Sequence, residues 1–352
     1  MLNFGNDYSR LAHPDVMGWL VKHANESNTP YGLDSHSERA KTLIYEACQT
    51  NPEEHWIYFF QGGTQVNLTA IKSLIQAYES VVAVDTAHIV SLEAGAIEAT
   101  GHKIDCIPGV NGKMDPERLK YFLKMRYEDE HRLHSTKPGL LYITQPTELG
   151  TVYTAKELEA LSEICRESDL RLYVDGARLA VALADPEAPS LAELARFADG
   201  LTIGATKMGA VSAEALLLKL SLFSKHFFTV QKQCGALASK GFFQGLQFEA
   251  LFEDGLYLEI GRKIHCQSMN LAAALVKMGY RFYMPPASNQ LFLLLSEADL
   301  KALRSKMICE RFGVSDEEVV VRLVLSYASS DAEVDAAIEV FRQLKQGTIN
   351  VD

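Results

Sequence analysis

The stretch Arg171-Leu172-Tyr173-Val174-Asp175-Gly176-Ala177-Arg178 reads as an apolar strand that ends on a carboxylate and turns into small residues. Open α/β sheets bind ligands at the carboxyl edge of their strands, so an acid there is poorly placed for packing and well placed for chemistry. A helix N-cap is the other reading of Asp175. Downstream, the apolar strand Gly200 to Gly204 leads into Ala205-Thr206-Lys207-Met208-Gly209, a lysine among small residues just past a strand end. Taken alone, that lysine reads as solvated. Upstream, Trp56-Ile57-Tyr58-Phe59-Phe60 runs into Gln61-Gly62-Gly63-Thr64, and from Gln65 the apolar period becomes helical. Paired glycines let backbone N–H groups approach an anion, the helix start adds positive potential, and Thr64 offers a hydroxyl. The turn matches neither G-x-G-x-x-G nor G-x-x-x-x-G-K-[ST], which weakens dinucleotide and nucleoside triphosphate readings and leaves a structural tight turn as the alternative.

Around these three points, strand and helix patterns alternate. A helix is expected from Ser37 to Gln49, strands at Val81–Val84 and Lys103–Ile107, and a helix from His88 to Thr100 between them. There follow an amphipathic stretch from Asp115 to Tyr127, a strand at Leu140–Thr144, helices at Ala155–Ser168 and Leu191–Phe197, and a strand at Ala213–Leu218. Such alternation implies crossovers and a mainly parallel sheet, an α/β class. From about Phe242 a nearly uninterrupted helical stretch runs to Met278. Tyr280-Arg281-Phe282, Pro285-Pro286, a strand at Gln290–Leu295, a helix at Ala298–Arg311, a strand at Val319–Ser326 and a helix at Asp331–Leu344 then suggest a smaller α+β unit. The expected division is an N-terminal segment (1–20), a large α/β unit (21–240) and a small C-terminal unit (241–352).

Lys and Arg number 34 against 45 Asp and Glu, and the formal charge of −11 excludes nucleic-acid binding driven by a basic surface. Hydrophobic residues at 47% supply a core, and no apolar run approaches the roughly 18 residues of a membrane helix. Met1 to Tyr8 shows neither a secretory signal nor an Arg-rich transit peptide, which makes the cytoplasm the expected location. The six cysteines are widely spaced with no C-x-x-C pair, as reduced thiols would be. His131 and His134 flank a charged run that reads as a solvated helix end, so no metal site is expected there.

An anion cup, a strand-end acid and a strand-end lysine together fit pyridoxal 5'-phosphate: a cradle for its phosphate, a carboxylate for its pyridinium nitrogen, and an amine for its aldehyde. Thr206 could add a phosphate donor. His88, in Asp85-Thr86-Ala87-His88, has a flat face to stack on the ring, although alone it reads as a satisfied core histidine. Several motifs in order then resemble the threonine aldolase group of the β-eliminating lyase/threonine aldolase superfamily, within fold type I pyridoxal phosphate enzymes. These are Asn6-Asp7-Tyr8, Tyr31-Gly32-Leu33-Asp34, Gly62-Gly63-Thr64-Gln65-Val66-Asn67-Leu68, His88 with Glu93-Ala94-Gly95, Gln145-Pro146-Thr147 with Gly150, Asp175-Gly176-Ala177-Arg178-Leu179, Thr206-Lys207 and Val321-Arg322-Leu323.

The resemblance implies Lys207 as the Schiff-base lysine, Asp175 as partner of the ring nitrogen, His88 as the stacking residue and candidate base, and Arg178 beside the cofactor. It places Gly62, Gly63, Thr64 and Thr206 near the phosphate and Arg322 on the substrate carboxylate. Asn6 falls where the group often has a serine helping that arginine, and a salt bridge on a half-exposed strand is the other reading of Arg322. The implied reaction is cleavage of a β-hydroxy-α-amino acid to glycine and an aldehyde. The implied assembly is a homo-oligomer, dimer or tetramer, with Tyr31, also a candidate substrate-binding residue, and Lys240 expected at the boundary. Met208-Gly209-Ala210 and the segment Lys232–Lys240 depart from the group's usual glycine-rich runs, so Lys240 stands where a cross-subunit phosphate arginine is expected, and strict threonine specificity is not implied. Competing readings are β-elimination or racemisation on the same cofactor, a catalytically silent scaffold, and a metal-dependent barrel aldolase, for which no His/Asp ligand cluster is found.

Overall fold

A computed structural model describes residues 1–222 and 226–349. The N-terminal strand β1 (Leu2–Asn3) stands apart from the main sheet, which is built from β2 (His55–Phe60), β3 (Glu79–Val84), β4 (Ile104–Ile107), β5 (Lys137–Thr144), β6 (Arg171–Asp175), β7 (Gly200–Gly204) and β8 (Glu214–Lys219). Their order is β2-β8-β7-β6-β5-β3-β4. Neighbours from β7 to β4 pair in parallel, whereas β8 runs antiparallel to both β7 and β2. The strands are apolar on both faces, as a sheet covered by helices requires, and Leu140 to Ile143 and Leu216 to Leu218 are buried throughout.

The reversal of β8 has a consequence for chemistry. In register, Glu214 at the start of β8 lies opposite Phe60 and Gly204 at the ends of β2 and β7. One edge of the sheet therefore gathers the ends of β2, β3, β5, β6 and β7 together with the beginning of β8.

A second sheet joins β9 (Arg281–Phe282), β10 (Gln290–Leu295), β12 (Glu310–Ser315) and β13 (Glu318–Val324) in the order β12-β13-β10-β9. Between them in the chain, β11 (Met307–Ile308) pairs in parallel with β1. Phe4 extends the link, donating its N–H to the Ile308 carbonyl and accepting at its own carbonyl from Val324 N–H.

The expected parallel α/β order holds, with three local corrections. The helix expected over His88–Thr100 is one turn, His88–Ser91, and a 3-10 turn, Glu98–Thr100, because Ala94 and Gly95 take positive φ (51° and 72°). The helical stretch from Phe242 divides into Phe242–Phe252 and Leu256–Lys277 at Gly255, whose φ is 73°. The helix expected over Ala298–Arg311 ends at Arg304, and β11 and β12 follow. Arg311-Phe312-Gly313-Val314 alternates like a strand, but its exposure leaves few apolar positions to mark a face. Cys48, Cys106, Cys165, Cys234, Cys266 and Cys309 are all free among the described residues.

Candidate active site

Asp175 closes β6 and Lys207 follows β7, and the backbone explains why these two ends sit so close. A Cβ on Gly176 would come 2.2 Å from the Thr202 carbonyl oxygen, and one on Gly204 2.6 Å from that of Ala177. Only glycine permits this approach, sealed by Gly204 N–H donating to the Gly176 carbonyl at 3.1 Å. The acid and the lysine are thus fixed by backbone contact rather than by side-chain packing.

The Asp175 carboxylate is buried and held by three donors. Oδ2 accepts from Asn67 Nδ2 at 2.9 Å and Tyr142 OH at 2.7 Å, and Oδ1 accepts from Ala177 N–H at 3.0 Å. The N-cap of the following helix is Arg178, which removes the N-cap reading of Asp175. Asn67 in turn donates to Glu93 Oε1 at 2.8 Å and accepts from Tyr173 OH at 3.0 Å. Burial, and after it the charge of Asp175, push the Tyr142 hydroxyl well above the usual phenol range, so it remains a donor.

Lys207 sits in a 3-10 turn, Thr206–Met208, ended by Gly209 at φ 98°. Burial and the Arg178 guanidinium pull its ammonium below the ordinary lysine range, which favours the free amine a carbonyl group needs. Arg178 is gripped by the buried Asp7 through Nε to Oδ2 at 2.6 Å and Nη2 to Oδ1 at 3.1 Å, and Asn289 Nδ2 adds a third donor at 3.0 Å. Burial alone would raise the Asp7 pKa, but the charges of Arg178 and Lys207 and these hydrogen bonds bring it below the usual carboxylate value.

His88 opens its single helical turn just past β3. Its backbone N–H donates to Glu148 Oε1 at 2.9 Å and its Nδ1 meets Glu93 Oε1 at 2.9 Å. Glu148 also accepts from Thr144 Oγ1 at 2.8 Å, and burial raises its pKa to about 6. Glu214 lies behind the lysine with its Oε2 unpartnered, and burial raises it to about 7.

One cleft of about 450 Å³ has Gly63, Thr64, His88, Asp175, Arg178 and Lys207 on one side and Gln290, Glu310, Phe312 and Arg322 on the other. Gly63 begins the helix Gly63–Leu74. A Cβ on Gly62 or Gly63 would meet no protein atom within 4 Å, so their bareness keeps the helix start accessible. Arg322 donates from Nη1 to Gln290 Oε1 at 3.1 Å and pairs through Nη2 with Glu310, its direct neighbour across β12–β13. Its Nε is buried without a partner. The ion pair on a half-exposed strand is therefore present, and the guanidinium faces the cleft as well.

Four expected residues, Thr206, Asn6, Tyr31 and Lys240, do not line this cleft in the single chain. Thr206 spends its hydroxyl on the Ala213 carbonyl and accepts from Ala213 N–H. Asn6 caps a turn by accepting from Tyr8 N–H at 3.1 Å, and it is Tyr8 that lines the cleft. Tyr31 lies in a loop at φ 66°, donating its N–H to Ser239, with Lys232 over its ring, while Lys240 is exposed. Sequence reading overlooked Asp7, Asn67, Tyr142, Glu148, Glu214 and Glu310 as site residues. Asp7 and Asn67 stand inside the quoted motifs, and Glu148 falls between Thr147 and Gly150, so their positions held a signal. Glu214 and Glu310 are revealed only by the strand reversal and by the missed β12.

A mainly parallel sheet with one reversed strand, carrying an acid and a lysine on adjacent strand ends, defines the class of fold type I pyridoxal phosphate enzymes. The fold matches an aspartate aminotransferase from Thermus thermophilus at a TM-score of 0.69 over 98% of this chain and 91% of that one, at 16% identity. Residues 23–298 match the beta-eliminating lyase family, and the chain belongs to it. It is 33% identical to a low specificity L-threonine aldolase of Pseudomonas aeruginosa, over 97% of this chain and 96% of the relative. A similar enzyme from a Pseudomonas species is also 33% identical, over 86% of each. The solved structure of Leishmania major threonine aldolase superposes at a TM-score of 0.93 with 36% identity, over 98% of this chain and 100% of that one.

Proposed function

We propose that this chain is a pyridoxal phosphate-dependent lyase that cleaves β-hydroxy-α-amino acids of the L-threonine type to glycine and an aldehyde. The observation that carries the reading is the pairing, at one cleft, of a carboxylate oriented by three donors, with one acceptor site left on Oδ1, and a lysine whose charge is disfavoured. The donor set fits the cofactor: Asp175 for the pyridine nitrogen, Lys207 for the aldehyde carbon, Gly63 and Thr64 at a bare helix start for the phosphate, and His88 for the ring face. When bound, pyridoxal phosphate supplies the electron sink for the pair released as the Cα–Cβ bond breaks.

The chain's own residues do the rest. Arg322 binds the substrate carboxylate, offering the unpartnered Nε and, once Glu310 is displaced, Nη2. Asp175 holds a proton on the pyridine nitrogen, and Asn67 and Tyr142 prevent the carboxylate from turning away. His88 takes the β-hydroxyl proton, and Glu93, in contact at Nδ1, stabilises the charge that the imidazole acquires. Lys207, which lines the cleft with Glu214 behind it on the same sheet edge, is the group that returns a proton to Cα. Asp7 keeps Arg178 turned along the cleft floor.

The test is to incubate purified protein, supplied with pyridoxal phosphate, with L-threonine and measure acetaldehyde and glycine. Equal amounts of both, lost in Lys207→Ala, are expected. A 2-oxo acid with ammonia would replace this reading with β-elimination, inversion at Cα alone would indicate a racemase, and no turnover with any amino acid would favour a silent scaffold. The homo-oligomer with Tyr31 and Lys240 at its boundary belongs to the same proposal, checked by light scattering and by the loss of cofactor affinity in Lys240→Ala.

A further inference from the structure

Away from the cleft, two imidazoles and a carboxylate converge where the N-terminal helix Pro14–Lys22 meets the helices Ser35–Cys48 and Phe242–Phe252. His23 caps the first of these helices, its N–H bonded to the Trp19 carbonyl, and His36 lies in the first turn of the second. Glu26, on the connecting loop, reaches both, with Oε1 2.7 Å from His23 Nδ1 and Oε2 2.7 Å from His36 Nε2. One ligand atom from each of the three falls within 4.8 Å of the others. The two rings stand edge to face, 4.7 Å between centroids.

We propose that His23, Glu26 and His36 form a binding site for a divalent transition-metal ion of the zinc type. Two imidazole nitrogens and one carboxylate oxygen form a donor set that suits Zn²⁺ and not the oxygen-seeking Mg²⁺ or Ca²⁺, and a fourth position is left for water. The fourth partner of the cluster strengthens the assignment. His36 Nδ1 is 2.6 Å from Glu249 Oε2, itself approached by Trp19 Nε1 at 3.3 Å. A ring whose second nitrogen is held by a carboxylate is the outer-shell arrangement that fixes the tautomer and raises the basicity of a metal-binding histidine. The ion takes the place of the protons that His23 and His36 now share with Glu26, and those protons leave to solvent.

The histidine side chains are nearly enclosed, 13% and 12% exposed, whereas Glu26 is 46% exposed and free to swing as the ligand distances open to those of a metal. Bound there, the ion clips the N-terminal helix to the body of the protein. The segment so fastened is the one that carries Asp7 to Arg178. None of the three ligands lines the cleft, so the site is structural and independent of the cleavage reaction.

The experiment is equilibrium dialysis of the cofactor-loaded protein against Zn²⁺ with elemental analysis, and titration with Co²⁺ read by its visible bands. About one ion per chain is expected, with tetrahedral Co²⁺ absorption and a rise in melting temperature on adding Zn²⁺. Glu26→Gln, a change on an exposed side chain, and His36→Ala should each weaken binding tenfold or more, Glu249→Gln about tenfold, with cofactor absorbance and amino-acid cleavage unchanged without metal. Failure to bind Zn²⁺ would overturn the proposal. So would binding that survives both Glu26→Gln and His36→Ala, which would assign the ion to the exposed thiols or to the His131–His134 pair.

Discussion

The two walls of the cleft are built on different principles. On the wall formed by β6 and β7, Asp175 has three donors, Asn67 is itself held by Tyr173, and the strand ends meet backbone to backbone at Gly176 and Gly204. On the wall formed by β10, β12 and β13, Arg322 has one neutral partner, Gln290, and one exposed anionic partner, Glu310. In the proposed function the first wall holds a group that stays through every turnover. Under the same proposal the second exchanges one anion for another each time a substrate arrives, and a weak, displaceable pair does that better than a buried network.

The comparison breaks most sharply at the fixed wall. Lys207→Ala and Asp175→Ala should each reduce kcat/KM about 10³–10⁴-fold, and Lys207→Ala should abolish the visible cofactor band that borohydride bleaches. A variant of either residue within tenfold of the parent would remove the fixed wall from the chemistry. Asp7→Asn comes next, because it strands Arg178 in a buried site: a loss of about 3–5 kcal/mol is expected in denaturant unfolding. Asp7 has a depressed pKa in the folded state, so its contribution is present above the ordinary carboxylate range and disappears as pH falls through the folded value. The gap between parent and variant should accordingly persist at neutral pH and close only on acidification below the ordinary carboxylate value.

At the mobile wall the effects are smaller. Arg322→Gln removes charge-assisted hydrogen bonds worth about 1.5–3 kcal/mol, so kcat/KM should drop roughly 10- to 150-fold, chiefly through KM. A loss confined to kcat would mean that Arg322 acts on the transition state and not as a carboxylate clamp.

The same contrast explains what the sequence disclosed. Fixed-wall residues follow apolar strands whose period and composition are unmistakable, and Gly62-Gly63-Thr64, Asp175 and Lys207 could be placed at strand ends from Trp56–Phe60, Leu172–Val174 and Leu201–Ile203 alone. Their supporting shell was less visible, since Asn67 and Tyr142 reach Asp175 from a helix face and from a neighbouring strand. The mobile wall was misread at β12, where half-exposed Arg311–Ser315 follows a genuine helix and lacks an apolar face. Missing that strand hid Glu310 altogether. Thr206, expected as a phosphate donor from its adjacency to Lys207, has its hydroxyl within reach of the Ala213 backbone in the single chain.

Glu214 lies at the fixed wall yet is incompletely paired, which makes it a probe of how far the buried network extends. Its folded pKa is raised to about 7 from a model-compound value of 4.5. A raised carboxyl contributes stability that is complete below the unfolded pKa and is lost as pH rises through the folded one. The parent should therefore lose melting temperature between about pH 4.5 and 7, and Glu214→Gln, which cannot ionise, should reduce that loss by about 2–4 °C. An identical pH profile in parent and variant would show that Glu214 is ionised throughout, with Lys207 or solvent satisfying its free oxygen.

The smallest effect belongs to Glu310, and it decides what the mobile wall is for. Glu310 faces Arg322 directly across β12–β13 and its side chain is 45% exposed, so the pair is screened and worth at most about 1 kcal/mol. If it merely occupies the guanidinium between substrates, Glu310→Gln frees Arg322 at no cost to the bound state. KM should then fall by up to about fivefold with kcat unchanged, because the competition is removed equally for ground state and transition state. A rise in KM would carry the opposite meaning, that Glu310 aims Arg322 into the cleft and the mobile wall is preorganised after all. The sign of this one small change separates an exchangeable anion from a positioning one.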